Sequence, residues 1–266
     1  MIQYPSNMEE PTITPKQLEI LILLYRYRFL NRIQIQKFLN HKDPKRINTW
    51  LKDLTNKNII GRKYSNRLKE NTKPTIYHLA TKSRKILLSQ PNINEKLLKR
   101  VYRDKVRSIK LIEHCILVAK IYFYLQKQTK DQLHFFTKVD LSNHYYLPYN
   151  RPDAYIAIES EEETKRYFLK IIDDGTPRFM IRKKIAQYLE YFEEKTWQEN
   201  TGYKNPSILI ICPNEITKLF LNKYIAKIID DEAEEEINFY LTTKEIIEYD
   251  QLTSNIWDKV EELGEN

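Results

Sequence analysis

The residues of this 266-residue chain that are best suited to catalysis are a few acids and a lysine in its second half. Asp153 follows a proline, and Asp173 comes directly before Asp174 and a Gly-Thr pair. Mg²⁺ is a hard cation that binds oxygen ligands, and two carboxylates can hold it beside a scissile phosphate. Asp153 and Asp173 are therefore the candidate metal ligands and catalytic acids, and Lys184 is the candidate cationic partner.

Other catalytic chemistries lack the residues that they need. The four glycines offer no glycine-rich loop for phosphate binding. The five histidines, with Cys115 and Cys212, match neither a zinc spacing nor a disulfide framework. No Gly-x-Ser-x-Gly motif is present, and His114 is interpreted as a core or surface histidine. We expect no cofactor, except Mg²⁺ if the chain is a nuclease.

The acids fall within a regular order of predicted elements. Hydrophobic periodicity predicts helices and strands in the order α-β-β-β-α-β-α-β, at residues 94–127 (broken near 108), 134–141, 153–159, 167–172, 179–197, 207–212, 215–229 and 237–241. This is the core order of the restriction-endonuclease-like, PD-(D/E)xK fold. In that fold, carboxylates on the second and third strands hold Mg²⁺, and a lysine beside them orients the attacking water.

The fold suggests further candidates and excludes others. Gln187 and Tyr191 have the Gln-x-x-x-Tyr spacing found on the corresponding helix of some nucleases of this fold, so Gln187 joins the catalytic candidates. Lys170 is set aside, because strand alternation places it on the opposite face from Asp173. A literal Glu-Thr-Lys motif after Asp153 is also set aside, since it falls in an acidic turn over residues 160–165.

Charge divides the chain into two contrasting halves. Residues 1–150 carry 29 basic and 11 acidic side chains, a net charge of +18, whereas residues 151–266 carry 15 and 25, a net charge of −10. A basic half joined to an acidic half indicates one module that binds a polyanion and another with a different task.

The basic half has the pattern of a winged helix-turn-helix. Helices are predicted from a Thr14–Gln17 capping box through residues 18–30, from Asn31 to about Leu39, and from Asp43 onward. Two strands, near residues 58–64 and 75–79, form a hairpin. In such a domain the third helix enters the major groove and the hairpin, or wing, contacts phosphates. The predicted DNA-binding residues are Lys45, Arg46, Asn48, Thr49, Lys52, Arg62, Lys63, Arg67, Lys69 and Lys73.

The predicted fold class is thus mixed α+β or α/β. An N-terminal winged helix-turn-helix is expected over residues 1–90 and a helical connection over residues 91–130. A restriction-endonuclease-like mixed α/β domain is expected over residues 131–266.

Several motifs, taken in order, resemble the replication-relaxation family. Its winged-helix part is resembled by residues 18–30, 33–36, 46–54 and 77–80. Its second part is resembled by His114, by Pro152-Asp153, and by residues 173–176 with Lys184 downstream. The resemblance covers most of residues 14–245 and implies a role in replication or DNA transfer of bacterial plasmids and mobile elements. The family pattern has an acid two residues before Asp173, where this chain has Ile171.

We therefore interpret the chain as a sequence-specific protein that binds double-stranded DNA for replication initiation or mobilisation of a plasmid or mobile element. Its α/β domain would be a non-catalytic platform that contacts replication or transfer proteins. A metal-dependent nuclease and a winged-helix transcriptional regulator are the alternatives, and a homodimer is left open. The sequence has no apolar run long enough for a membrane span and no signal-peptide pattern, so a cytoplasmic location is expected.

Overall fold

The computed structural model describes residues 12–64, 74–232, 237–248 and 255–261. The chain forms two compact units, Met1–Ser108 and Ile109–Asn266. The boundary between them lies inside the segment that the sequence predicts as a helical connection. Three of the predicted DNA-binding residues lie outside the described residues, namely Arg67, Lys69 and Lys73.

The helices of the first unit begin where the sequence places their caps. α1 (Pro15–Tyr27) starts with a capping box between Thr14 and Gln17. α2 (Arg32–Phe38) starts with an equivalent box, and α3 (Pro44–Asn56) starts with an aspartate cap and a first-turn proline. The caps bond amide groups that have no partner within their own helix. The three predicted helices are confirmed, although α1 ends earlier than expected because the next residue has a positive φ.

A polar contact connects α3 with α1. The side-chain oxygen of Gln17 accepts a hydrogen bond from the Thr14 amide at 2.9 Å, and its amide nitrogen donates to Asp53 Oδ2 on α3 at 2.6 Å. The Lys57 ammonium donates to the same oxygen at 2.8 Å. These bonds, with that of Lys57 first, lower the pKa of Asp53. The only acid on α3 is therefore neutralised within the unit.

A small antiparallel sheet packs with these helices. Its strands are β1 (Leu30–Asn31), β2 (Ile60–Lys63) and β3 (Ile76–Leu79), in the order β1-β3-β2. β2 and β3 are the predicted hairpin strands, whereas β1 has only two residues and gives no sequence pattern. Gly61 faces His78 across the ladder, and a Cβ atom at Gly61 would overlap the buried imidazole. Glycine is required there by the close approach of the ring.

Short helical segments complete the first unit. α4 (Ser83–Leu88) and α5 (Glu95–Leu98) are followed by a 3₁₀ helix over Val101–Val106. That 3₁₀ helix carries Asp104, which is buried and accepts a hydrogen bond from the Arg28 guanidinium. The predicted helix over residues 94–127 is therefore broken, as expected, just before residue 109.

The second unit is built on a six-stranded mixed sheet. The strands occur in their sequence order across the sheet. The first three pair antiparallel, the third to fifth pair parallel, and the last pair is antiparallel again. The strands are β4 (Gln132–Thr137), β5 (Ala154–Glu159), β6 (Thr164–Ile171), β7 (Ser207–Cys212), β8 (Phe239–Thr243) and β9 (Asp258–Lys259).

Helices connect the parallel strands, as parallel pairing requires. α7 (Arg178–Glu193) and α8 (Thr196–Thr201) connect β6 to β7, and α9 (Glu215–Glu232) connects β7 to β8. α6 (Ile109–Gln128) precedes β4, and α10 (Lys244–Glu248) lies between the antiparallel strands β8 and β9. The main core forms where α7 and α9 meet the sheet, around buried side chains that include Phe168, Phe192 and Phe239. β7 is buried along five of its six residues, which confirms the prediction from its continuous apolar run. Within the described ranges, no helix is long and apolar enough to cross a membrane.

The mixed α+β class and the predicted element order are confirmed, with corrections at several ends. The first predicted strand is β4, after which the chain forms a 3₁₀ helix at Asp140–Asn143. The helix predicted over residues 179–197 is divided into α7 and α8, because Lys195 adopts a left-handed backbone. The last predicted strand lies two residues later, as β8, and β9 was not predicted at all.

The contact between Gly61 and His78 gives a stability prediction. The Gly61→Ala substitution should lower the free energy of unfolding by about 1–3 kcal/mol, because the added methyl group displaces a buried ring. Urea denaturation of the purified protein measures the change. In a Gly61→Ala/His78→Ala double variant the overlap is absent, so its destabilisation should be smaller than the sum of the two single changes. Strict additivity would contradict the contact.

Candidate functional site

A histidine and two aspartates form a polar cluster in the second unit. His114 lies on α6, Asp153 comes directly before β5, and Asp173 follows β6. The His114 Nε2 atom lies 3.3 Å from Asp153 Oδ1, and its Nδ1 atom lies 3.0 Å from Asp173 Oδ1. The imidazole therefore bridges the two acids that the sequence predicts as metal ligands.

Asp153 is held through its backbone and its side chain. Its amide donates to the Leu169 carbonyl at 2.8 Å, and its carbonyl accepts from the Lys138 amide at 3.1 Å, so it extends the ladder at the start of β5. Its Oδ2 atom accepts a hydrogen bond from the Ile171 amide at 2.9 Å. Asp153 is only 5% exposed, so these partners take the place of water around a buried charge.

Lys170 supplies a cation beside Asp153. Its side chain is buried, and its Nζ atom lies 3.9 Å from Asp153 Oδ2 and donates to the Arg151 carbonyl at 3.1 Å. Burial lowers the pKa of Lys170, and the charge of Asp153 opposes that effect. Lys170 thus lies beside Asp153, a position that strand alternation did not lead us to expect. Strand alternation cannot be extended from Lys170 to Asp173, because β6 ends at residue 171.

The turn after β6 presents Asp173 to the cluster. The Asp173 carbonyl accepts hydrogen bonds from the amide and the hydroxyl of Thr176, at 3.2 and 2.7 Å, and Gly175 supplies the positive φ of the turn. The Asp174 carboxylate instead accepts from the Lys244 ammonium at 3.0 Å. Of the two adjacent acids, only Asp173 belongs to the cluster.

The charges of the cluster stabilise one another. Burial disfavours a charged His114, but its hydrogen bonds with Asp153 and Asp173 outweigh burial and raise the pKa of His114 from 6.5 to about 9. The hydrogen bond from His114 lowers the pKa of Asp173. Burial would raise the pKa of Asp153, but Lys170 and His114 hold it well below its usual range. At neutral pH an imidazolium therefore lies between two carboxylates.

This donor set does not suit Mg²⁺. Both ring nitrogens of His114 face carboxylate oxygens, so a cation already occupies the space between the two acids. Asp153 Oδ2 accepts from a backbone amide and lies beside the Lys170 ammonium. In the part of the chain that the structure describes, no three His, Cys, Asp or Glu side chains are arranged to hold a metal ion. The metal-binding role of Asp153 and Asp173 stays a prediction that this geometry does not favour.

The two other catalytic candidates lie on α7. Lys184 is close enough for its charge to lower the pKa of Lys170, but among the described residues it pairs with neither aspartate. Gln187 is half-buried and makes no hydrogen bond to a described residue. The Tyr191 hydroxyl donates to the Tyr146 carbonyl at 2.9 Å. The Gln-x-x-x-Tyr pair is therefore not part of the cluster.

Sequence reasoning found the acids of the cluster but not its cations. His114 lies 59 residues before Asp173, and its only signal was its place in the family resemblance. Tyr188 was also missed. It is 1% exposed, burial and the charge of Asp153 raise the pKa of its hydroxyl, and that hydroxyl has no hydrogen-bond partner among the described residues. A tyrosine in an amphipathic helix gives no signal that distinguishes this position from ordinary core.

A second candidate site is the exposed face of α3. Apolar side chains cover its opposite face and are fully buried, as the periodicity predicts. The Arg46 guanidinium lies 5.7 Å from the centre of the Trp50 ring, and the Thr49 hydroxyl donates to the Lys45 carbonyl at 3.0 Å. The five predicted DNA-binding residues of this helix are all exposed: Lys45, Arg46, Asn48, Thr49 and Lys52.

The two described hairpin candidates differ from each other. Arg62 is exposed and lies 5.0 Å from the centre of the Tyr64 ring. Lys63 donates to the Arg107 carbonyl at 3.0 Å, and partial burial lowers the pKa of Lys63. Lys63 therefore has a structural partner, whereas Arg62 projects its charge at the surface.

Comparison with sequence models of protein families identifies the family of this chain. The sequence model of the replication-relaxation family matches residues 21–206, which is more than half of the chain. The chain belongs to the replication-relaxation family. No curated protein sequence matches it.

Two solved structures are similar to this replication-relaxation protein. The restriction endonuclease FokI is 12% identical over 87% of this chain and 41% of the FokI chain, with a TM-score of 0.36. The structure of FokI bound to DNA is 12% identical over 87% of this chain and 43% of that chain, with a TM-score of 0.31. This chain thus spans about two fifths of the length of FokI.

The departure from the family pattern lies at the centre of the cluster. Ile171 stands where the pattern has an acid, and its side chain is buried. Its contribution to this replication-relaxation protein is its backbone amide, which donates to Asp153. At this position the chain therefore provides an apolar side chain and a backbone donor, and no carboxylate.

The cluster predicts a dependence of stability on alkaline pH. The pKa of His114 is raised from 6.5 to about 9 on folding, so its contribution is complete below pH 6.5 and is lost as the pH rises through 9. We expect this loss to be on the order of 3 kcal/mol. Urea denaturation between pH 6 and 10 measures it, with a His114→Gln variant as the reference that lacks the titrating imidazole. Parallel pH profiles of the two proteins would contradict the ion-pair assignment.

Proposed function

We propose that this replication-relaxation protein binds double-stranded DNA through α3 and serves replication initiation or mobilisation of a plasmid or mobile element. The exposed face of α3 is the observation that carries the proposal. It combines two lysines, an arginine, an asparagine and a threonine, whereas the only acid of the helix, Asp53, is bonded to Lys57 and Gln17. Lysine and arginine neutralise phosphates, and asparagine and threonine can contact base edges.

The charge of the whole first unit supports the same proposal. Residues 1–108 contain 24 lysine and arginine residues against eight aspartate and glutamate residues, a net charge of +16. An excess of this size attracts a polyanion over a distance and raises the rate of encounter. The three helices and the β2–β3 hairpin fit a winged helix-turn-helix, with α3 as the recognition helix and Arg62 at the base of the wing.

For the second unit we propose a non-catalytic role as a platform for replication or transfer proteins. Residues 109–266 have a net charge of −8, with 20 basic and 28 acidic side chains, which does not favour contact with DNA phosphates. His114 occupies the space between the two candidate metal ligands. A folded unit stabilised by that ion pair can present its surface to a partner without performing chemistry.

The lysines of α3 give a direct test of DNA binding. A Lys45→Ala/Lys52→Ala variant should bind every duplex more weakly, because two phosphate contacts are lost. The slope of log affinity against log salt concentration should fall in magnitude by about 1.8. Fluorescence anisotropy with a labelled duplex across a salt series measures both effects.

A matched control is available on α9, where Lys223 and Lys227 are exposed. The Lys223→Ala/Lys227→Ala variant removes the same charge from the second unit, so its affinity and slope should match those of the unchanged protein. Equal losses in both double variants would indicate a general charge effect rather than contact by α3. An unchanged slope in the α3 variant would contradict the proposal.

A metal-dependent nuclease is the second candidate, and the position of Lys170 favours it. A buried lysine lies beside Asp153, which is the neighbourhood that a PD-(D/E)xK nuclease provides for its attacking water. The His114 bridge and the apolar Ile171 weigh against it, since they leave Asp153 without a second strand-borne carboxylate.

A plasmid assay separates the platform from the nuclease. The purified protein should leave supercoiled plasmid intact with either Mg²⁺ or Mn²⁺, because an imidazolium lies between the acids. Nicking that requires the ion and disappears in an Asp173→Asn variant would contradict the platform. Asp173 is suitable because its side chain is half-exposed, so the substitution leaves the buried Asp153 contacts in place. Gel electrophoresis of the plasmid forms gives the readout.

A further inference from the structure

We infer that α3 selects A·T base pairs, with Asn48 recognising adenine and Thr49 contacting the thymine methyl group. The inference rests on the proposed binding of DNA by α3 and adds the class of base pair that the helix selects. It follows from which hydrogen-bonding groups of the exposed α3 side chains already have partners within the protein and which do not.

The side-chain amide of Asn48 has no hydrogen-bond partner among the residues that the structure describes. Asn48 is exposed in the second turn of α3. An asparagine amide presents an acceptor and a donor side by side. That pair matches the N6 donor and N7 acceptor that adenine presents in the major groove.

The hydroxyl of Thr49, in contrast, already donates a hydrogen bond within the helix. The acceptor is the Lys45 carbonyl one turn earlier, at 3.0 Å. With the donor committed to the helix, Thr49 can offer a ligand its methyl group and the acceptor lone pairs of its hydroxyl oxygen. Apolar contact with the C5-methyl group is the feature that distinguishes thymine in the major groove. Adjacent residues on α3 thus offer the groups that read the two bases of A·T pairs.

The arginine on the helix is poorly placed to read guanine. Guanine is recognised most often by an arginine that reaches its O6 and N7 atoms. Arg46 lies over the ring of Trp50, and Trp50 is half-buried at the border of the exposed face. Its guanidinium therefore lies toward the side of α3 that carries Trp50. The other exposed side chains, Lys45, Asn48, Thr49 and Lys52, form a ridge along the helix.

The lysines have positions suited to phosphates. Lys45 and Lys52 lie three or four residues before and after the pair Asn48 and Thr49, which places them about one helical turn away on the same face. The ridge thus has a cation at each end and the two base-reading side chains between them. This arrangement fixes a short register of base pairs opposite Asn48 and Thr49.

Selection from a random duplex library with the full chain tests the preference. The enriched sites should contain A·T pairs at fixed adjacent positions, and G·C pairs at those positions should be depleted. Replacing the adenine by 7-deazaadenine, which lacks the N7 acceptor, should weaken binding by about 5- to 150-fold. Replacing the thymine by deoxyuridine, which lacks the methyl group, should weaken binding by about fourfold.

Two exposed-residue variants assign the contacts. An Asn48→Ala variant should bind the adenine and 7-deazaadenine duplexes equally, and a Thr49→Ser variant should bind the thymine and deoxyuridine duplexes equally. Each variant should keep its sensitivity to the other base analogue. Lys45→Ala is the matched control: it should weaken binding to all duplexes alike and retain both preferences.

The outcomes separate this inference from the function on which it rests. Salt-dependent binding with G·C pairs enriched, or with no enriched position, would overturn the A·T selection and leave DNA binding by α3 standing. Sensitivity to both base analogues that persists in the Asn48 and Thr49 variants would also overturn it. Failure to bind any duplex would overturn both proposals.

Discussion

The buried carboxylate of Asp153 is the constraint on which the second unit depends. A charge removed from water costs several kcal/mol unless polar partners surround it. Here the partners come from different parts of the chain: the Ile171 amide at the end of β6, the His114 imidazolium on α6 and the Lys170 ammonium. These contacts bring together the start of β5, the end of β6 and α6. The positions of the three elements thus provide the partners that the buried Asp153 carboxylate needs.

The same cluster shows how two acids that lie close together are accommodated in this unit. Two carboxylates repel each other unless a cation lies between them or one of them is protonated. In this chain the histidine of α6 supplies that cation from within the fold, and Ile171 adds an apolar side chain where the family pattern has a third acid. The ion pairs of the cluster thus lie in the acidic second unit, whereas the proposed task of DNA recognition belongs to the basic first unit.

Much of this architecture is visible in local sequence, and the reasons are physical. Capping boxes, an aspartate-proline helix start and alternating apolar residues act within a few positions, so α1 to α3, β5 and β7 could be predicted. The two-residue β1 has no periodicity, and the division between α7 and α8 depends on a left-handed Lys195. In the site, the acids follow recognisable motifs. His114 and Lys170 join them only through tertiary contacts, and strand alternation does not relate Lys170 to Asp173 because β6 ends at Ile171.

Gln17 gives the first unit a property that neither helix has alone. Its one amide group caps α1 through the oxygen and bonds to Asp53 on α3 through the nitrogen, so rotation of α3 about its own axis would break a bond to the side chain that caps α1. This bond limits the rotation of the exposed face of α3 in the free protein. Rigidity of this kind reduces the conformational entropy that is lost on association. An exchange of Gln17 would therefore remove both the cap of α1 and a bond that orients the exposed face of α3.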